Sequence, residues 1–587
     1  MYKKITYFLD SQDKKKIFYL FGLFILVGLI EVAGVLSIMP FVGMITDPNY
    51  FGSNQLSIYV KEYLSITNRE LTLLFGILFV ILFVSCSFLN GLTVWLNTRL
   101  MAILGEKISS RLFNHYLKQP YDFFTKNDLS SLSKNMIQVS VSLAESIFIP
   151  ALQILTRLII LIFVSILLIN INPIAFIYSL LLIGLIYILI FKFIKVKLTE
   201  YGKERLISND LLFKSTSDCL NSIKDVKFYR VEDFFNDIFT KSQRKFLDLT
   251  ARNIIISILP RYIIEIVAFG SIFITLLYLQ YNNFNLAQYA PTIALFVLAA
   301  YRLLPSFQQI FAYSSTIRFN LLALELIYND MHTKNLLEYD YCIKDIDDKI
   351  IFNNIKYSYE KDINILNNIS FKINNKSYTA IIGASGSGKT TMVDLLLGLY
   401  KPDSGNIVLS KTLYDAKLNK LLIGYVSQNS PFIDDTIRKN IAFGVEENDI
   451  DEERILNLID ICCLSSLLDM LPEKIHTRIG EKGSRLSGGQ LQRIGIARAL
   501  YRNPNLLILD EATNALDVTT EKNLFKSLKS NLSELSVICI THRLSAMKEC
   551  DNIFHLNNGY INKLSDSHNS INEIELNKLA QRYNKND

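Results

Sequence analysis

The eight residues Gly383-Ala384-Ser385-Gly386-Ser387-Gly388-Lys389-Thr390 have the composition and spacing of a phosphate-binding loop, G-x-x-x-x-G-K-[ST]. Apolar Ala380-Ile381-Ile382 ahead of the loop and the periodic Met392 to Leu397 behind it predict a strand, a turn and a helix. Glycines let backbone N–H groups face a phosphate chain, and the helix that follows directs the positive end of its dipole at the same anion. Lys389 adds a positive charge near the β- and γ-phosphates of a nucleotide, and Thr390 offers a hydroxyl to Mg²⁺. The alternative, a glycine-rich turn that binds nothing, does not require the Lys and the Thr at these positions.

A second set of chemically capable residues lies further on. Leu506-Leu507-Ile508-Leu509 runs into Asp510-Glu511, the pattern of a buried parallel strand that delivers carboxylates to a phosphate site. The seven cysteines are scattered, with neither paired zinc spacing nor a small-domain disulfide pattern, so they read as reduced packing residues.

The elements that position this chemistry belong to a membrane protein. Half of the 587 residues are hydrophobic and only 20% are charged, with a mean hydropathy of +0.26, too apolar for a wholly soluble chain of ordinary composition. The net charge of +6 suits loops held near anionic lipid better than it suits a nucleic-acid binder, so membrane lipid is the expected partner and nucleic acid is not. Apolar stretches at Ile17 to Met44, Leu71 to Leu96, Ile147 to Asn170, Pro173 to Ile194, Ile254 to Tyr281 and Ala287 to Tyr313 are each long enough to span a membrane. Met1 to Lys16 predicts a short amphipathic helix on the cytoplasmic interface. A signal peptide is the competing reading, which the length of the first apolar run opposes.

Arg99 to Lys134 and Lys192 to Arg252 are crowded with Lys and Arg, whereas Asn170 to Pro173 and Tyr281 to Leu286 carry none. The positive-inside rule therefore puts the long loops and both termini in the cytoplasm. Helical spacing in those loops predicts helices that continue beyond the bilayer and turn back near Tyr121 to Ser133 and Leu220 to Phe235. These elbows are expected docking surfaces for the soluble domain, the alternative being solvated amphipathic loops. The expected organisation is a six-span domain over residues 1–318, a linker over 319–349, an α/β domain over 350–564 and a polar tail over 565–587.

Leu486-Ser487-Gly488-Gly489-Gln490, together with the phosphate loop and the Asp510-Glu511 strand, resembles the nucleotide-binding domain of an ABC transporter. The resemblance extends to Tyr359 as the aromatic that stacks on adenine, Gln428 in the Q-loop, Ala515-Leu516-Asp517 in the D-loop, His542 in the switch loop and Ile479 to Gly483 as the exporter X-loop. It implies an all-α six-helix transmembrane domain fused to an α/β P-loop ATPase domain with an antiparallel β subdomain, assembled as an exporter-type domain-swapped homodimer. ATP and Mg²⁺ are the implied cofactors. Gly383, Ser385, Gly386, Ser387, Gly388, Lys389, Thr390, Thr391 and Asp510 would hold the nucleotide, with Thr390 and Gln428 on the metal. Glu511 would act as general base with His542 and Gln428 beside it, and Ser487, Gly488, Gly489, Gln490 and Asp517 would contact the nucleotide of the partner chain.

For cargo, the chain resembles the lipid-linked oligosaccharide flippases of bacterial protein N-glycosylation in Glu31 with Met39-Pro40-Phe41, Leu259-Pro260-Arg261, Tyr301 to Ser306 and Val393-Asp394-Leu395, and a short external helix is expected within Asp47 to Leu64. That resemblance implies ATP-driven flipping of a polyprenyl-pyrophosphate-linked oligosaccharide across a bacterial inner membrane, with Arg261 and Arg302 on the pyrophosphate. The alternative for these arginines is ion pairing with Glu31 or Glu265 that locks helix packing. Cys86 and Gln309 stand where further arginines of the flippase lining are expected. A multidrug or lipid A exporter is the main alternative function; an ATP-gated channel or a regulatory membrane subunit is a third.

Overall fold

The computed structural model describes residues 2–46, 68–281, 286–333, 341–359, 364–415 and 420–565. The external helix expected within Asp47 to Leu64 and the tail beyond Ser565 fall outside those residues. The chain forms two compact units, one helical and running up to the linker, the other formed by residues 341–565 together with Pro120–Asp122.

In the helical unit, α1 (Tyr2–Tyr7) precedes the long helices α2 (Ser11–Thr46) and α3 (Asn68–Leu117). After the short α4 (Tyr121–Lys126) and α5 (Leu129–Lys134), two π-turns at Asn135–Val139 and Ala144–Phe148 lead into α6 (Ile149–Ile171). Then come α7 (Pro173–Asn221), the short α8 (Ile223–Tyr229), α9 (Glu232–Tyr281) and α10 (Leu286–Asp330). Long apolar runs fold this way because hydrocarbon cannot satisfy a backbone N–H or C=O, and a helix bonds all of them internally.

Among the described residues, Ser11–Ile45, Arg69–Leu117, Leu129–Ile171 and Ala290–Asp330 are long and apolar enough to cross a membrane. The other two expected spans lie within α7 and α9, continuous helices of 49 and 50 residues. A 50-residue helix is about 75 Å long, more than twice the ~30 Å hydrocarbon thickness, so these helices extend well beyond it. Both expected elbows are short helices, α4 with α5 and then α8.

Two stretches show contacts and bounds beyond those the sequence predicts. The N-terminal segment packs on protein: Phe8 is buried, Lys4 Nζ donates to Glu325 Oε1 at 2.9 Å, and Lys107 bonds Asp13 at 2.8 Å. Neighbouring helices thus supply partners for Phe8, Lys4 and Asp13 of this segment. Residues 319–330, expected as linker, continue α10 and bury Phe319, Leu324 and Ile327, so that apolar face holds the helix together to Asp330.

The second unit contains two principal sheets. β1 (Cys342–Lys344), β2 (Ile350–Ser358), β3 (Asn364–Ile373) and β5 (Ser404–Ser410) form a four-stranded sheet in the order β1-β5-β2-β3, antiparallel except at β1. A six-stranded sheet has the order β12-β11-β4-β10-β9-β8, comprising β4 (Tyr378–Ile382), β8 (Ile423–Val426), β9 (Leu506–Asp510), β10 (Ser536–Ile540), β11 (Asn552–Asn557) and β12 (Tyr560–Ser565), after a small hairpin of β6 (Tyr414–Asp415) and β7 (Lys420–Leu421). Every pairing in it is parallel except β11 with β12. β4, β9 and β10 are buried throughout, as near-continuous apolar strands covered on both faces must be.

Candidate nucleotide site

Four neighbouring parallel strands end at one edge of the six-stranded sheet, and each delivers a candidate residue there. β4 leads into the phosphate loop, β10 into Thr541-His542, β9 ends in Asp510 followed by Glu511, and β8 leads to Gln428. In open α/β sheets, ligands bind outside the carboxyl ends of such strands. Residues separated by more than a hundred positions in sequence thus meet because parallel pairing aligns the strand ends.

The phosphate loop is built as its glycines require. Gly386 (φ 75°) and Gly388 (φ 101°) occupy the left-handed region, and a Cβ on Gly383 would lie 2.2 Å from the Leu556 carbonyl oxygen. Lys389 Nζ donates to the carbonyls of Gly383 (2.7 Å) and Ala384 (2.8 Å), closing the loop on itself. Ser387 Oγ is buried without a hydrogen-bond partner, a polar atom that a phosphate oxygen would satisfy. α11 (Lys389–Leu396) begins on this loop, with Thr390 exposed at its first turn and Ser385 exposed in the loop. Tyr359, just past β2 and half exposed, shares a 3.1 Å hydrogen bond with Thr391 on α11.

Around Glu511 the three residues assigned to hydrolysis come together. Gln428 Nε2 donates to Glu511 Oε2 at 2.8 Å, and His542 Nε2 is 3.4 Å from Glu511 Oε1. Gln428 thereby keeps its own carboxamide oxygen as the atom able to meet a cation, and Thr390 contributes a hydroxyl, an oxygen donor set that suits Mg²⁺. Asp510 is 5% exposed, and burial with the charge of Glu511 holds its carboxyl above the usual range. Burial and then Asp510 push Asp394, on α11, up to about 6.

The signature residues stand apart from this cluster. Ser487 caps α12 (Gly488–Leu500): its side chain accepts from the Gln490 N–H while Gln490 Oε1 accepts from the Ser487 N–H, a reciprocal capping box. A Cβ on Gly489 would lie 2.9 Å from the Ala515 carbonyl oxygen, so glycine permits α12 to pack on the segment before Asp517. Asp517 accepts from Thr520 N–H at 2.9 Å and caps α13 (Val518–Asn531), and hydrogen bonds from the Thr520 side chain and then from its N–H lower the carboxyl's affinity for protons.

Three residues here were not singled out from the sequence. Asn514 Nδ2 donates to Glu511 Oε2 at 3.1 Å, Gln492 Oε1 accepts from Ala515 N–H at 2.9 Å, and Arg543 donates to the carbonyls of Thr513 and Leu516. Their nearness to the motifs was the available signal, but their partners depend on the turn at 511–516.

In the helical unit the candidate cargo arginines each meet a carboxylate. Arg302 Nη1 lies 3.3 Å from Glu31 Oε1, with its guanidinium 5.0 Å from the Phe83 ring centre, and Arg261 Nε lies 2.5 Å from Glu265 Oε1 one helical turn away.

A parallel sheet with a phosphate loop and acids at its strand ends, fused to a bundle of membrane-length helices, defines a membrane protein with a nucleotide-binding cassette. Residues 17–304 match the ABC transporter transmembrane region and residues 366–514 match the ABC transporter family. The chain belongs to the ABC transporters, and the two matched segments are one transmembrane region and one cassette. It is 39% identical over 259 residues to a protein of Rickettsia bellii named for export ATP-binding and permease function, a match covering 43% of this chain and 44% of that protein. It is 36% identical over 220 residues to a multidrug resistance ABC transporter ATP-binding and permease protein of Lactococcus lactis, 37% of each chain. Both matches span less than half of either relative. In fold, the chain resembles a bacterial Atm1-family ABC exporter with ATP bound, with a TM-score of 0.78 at 20% identity over 98% of this chain and 99% of the other.

Proposed function

We propose that the chain is an ATP-driven exporter that works as a homodimer in a bacterial inner membrane, with its termini and cassette in the cytoplasm. The observation that carries this reading is the convergence of the phosphate loop, Asp510-Glu511, Gln428 and His542 at the ends of four adjacent strands. ATP would be held by Lys389, the loop N–H groups of Gly383 to Gly388, the hydroxyls of Ser385, Ser387, Thr390 and Thr391, and Asp510, with Tyr359 against the adenine. Thr390 and Gln428 would hold Mg²⁺, which supplies charge neutralisation to the phosphate oxygens. Glu511 takes the proton of the attacking water as its oxygen bonds the γ-phosphorus and ADP departs, and His542 orients the γ-phosphate.

The exposed start of α12, with Ser487, Gly488, Gly489 and Gln490, would take the phosphate oxygens of the nucleotide held by a second copy of the chain, with Asp517 beside it. ATP then clamps two cassettes, and hydrolysis releases them.

The cargo proposed is an amphiphile, a lipid or an apolar drug. Both candidate arginines are ion-paired, which supports a structural part for them, and the Lactococcus relative is a multidrug resistance transporter. A narrower second reading, flipping of a lipid-linked oligosaccharide, rests on the resemblance in the first, fifth and sixth spans and on Arg302 keeping partial exposure beside Glu31. Reconstitution into vesicles separates them: ATP-dependent translocation of fluorescent amphiphiles, with no response to polyprenyl-pyrophosphate glycans, supports the first. The reverse pattern supports the second, and steady ATP turnover with no translocation of either would overturn both.

A further inference from the structure

The Glu511 carboxylate has a partner outside the motifs that name the family. Asn514 Nδ2 donates to Glu511 Oε2 at 3.1 Å, on the oxygen that also accepts from Gln428. Glu511 sits at the left-handed φ of 51°, and its own N–H donates to the Ile540 carbonyl at 3.0 Å, so its main chain is fixed against β10. What remains to be set is the aim of its side chain.

Asn514 is well placed to set it. The Asn514 N–H donates to the Glu511 carbonyl at 3.2 Å, so both residues belong to one tight turn. That turn is pinned on either side of Asn514: Arg543 Nη1 donates to Thr513 O at 2.9 Å and to Leu516 O at 2.7 Å, and Ala515 N–H donates to Gln492 Oε1 on α12 at 2.9 Å. Gln428 reaches the same carboxylate from a separate loop after β8, so its hold depends on where that loop stands. A donor fixed in the same turn as its acceptor needs no reorganisation when the reaction begins.

We infer that Asn514 is a positioning residue for hydrolysis, holding the Glu511 carboxylate in the orientation that accepts the proton of the attacking water. The inference rests on the reading of Glu511 as general base. The competing role, closure of the turn alone, needs only the Asn514 backbone and the Arg543 contacts.

Two substitutions separate these roles in the full-length chain reconstituted in lipid nanodiscs. Asn514→Asp keeps the shape of the side chain but replaces the donor with a carboxylate oxygen, and Asn514→Leu removes the donor without adding charge. Loss of a donor to a charged group predicts that each lowers kcat about 10-fold or more, with KM and equilibrium ATP affinity within about twofold of the parent. In a Glu511→Gln background, adding Asn514→Asp should change the single-turnover rate by less than about twofold, because the carboxylate it orients is gone. Unchanged kcat in either variant, a loss carried by KM and ATP affinity, or a full additional loss in the Glu511→Gln background would each overturn the inference. Should Asn514→Asp fail to fold, as read by thermal melting, Asn514→Leu carries the same comparison. Near-parental turnover by Glu511→Gln alone would instead overturn the reading of Glu511 as base.

Discussion

In the cassette, charged and polar side chains from different strand ends converge: Glu511 gathers Gln428, Asn514 and His542, and Lys389 closes the loop that β4 feeds. In the helical unit the charges pair off instead, Arg302 with Glu31 and Arg261 with Glu265. The physical settings differ. At a sheet edge open to solvent, polar groups can be presented for a ligand, whereas a charge within hydrocarbon must be neutralised by a neighbour at a cost otherwise of ~2.5–3.5 kcal/mol on the mildest scale. The cassette therefore exposes its chemistry, and in the helical unit these two arginines each lie against a carboxylate.

That contrast can be broken most severely at Glu511. Glu511→Gln is expected to lower ATP turnover by roughly 100-fold or more while leaving ATP affinity and the melting temperature near those of the parent, measured by phosphate release and calorimetry. Parental turnover would show that the cluster is not hydrolytic.

A next test acts on stability in the other unit. Removing one member of a buried pair leaves the other charge poorly compensated, so Arg302→Ala, which leaves the 4%-exposed Glu31 with Arg157 as its remaining cationic neighbour, should cost up to about 3 kcal/mol. The double change Arg302→Met with Glu31→Gln should recover most of that loss in a detergent melt. A stable Arg302→Ala chain that had lost only cargo-stimulated ATPase activity would move Arg302 from packing to cargo binding and favour the oligosaccharide reading.

The smallest effect concerns Asp394. Its carboxyl is held up to about 6, above its ordinary 3.8, by burial and then by Asp510. The folded form therefore favours the protonated group, a contribution fully present below about pH 4 and lost as pH rises through about 6. Asp394→Asn keeps a neutral side chain at every pH. Discounted for its partial exposure, the variant should melt about 2–4 °C higher than the parent at pH 7.5 without nucleotide, and the gap should close below about pH 4. An equal gap at both pH values would remove Asp394 from this role.

Much of the architecture was legible beforehand, for reasons that differ between the units. Spans could be read because hydrocarbon imposes one solution on any apolar run of sufficient length, but their ends could not: α10 continues to Asp330 because Phe319, Leu324 and Ile327 bury one face there. The phosphate loop and the acids after β9 could be read because each is a short contiguous segment. Asn514, Gln492 and Arg543 could not, since an Asn three residues after a Glu acquires its partner only when the chain turns left-handed at Glu511.

The sequence by itself determined what is local: which residues can cradle a phosphate, which strand carries Asp510 and Glu511, which runs must be helices, and that Arg261 and Arg302 need partners. Tertiary structure alone decided which strands lie side by side, and hence that Gln428, Glu511 and His542 meet. It also decided which carboxylate lies beside each arginine in the folded chain, Glu31 for Arg302 and Glu265 for Arg261. The reason is range: helix, loop and span preferences act within a few residues, whereas the meeting of side chains 83 positions apart, as in Gln428 with Glu511, is fixed only when parallel pairing aligns β8 with β9.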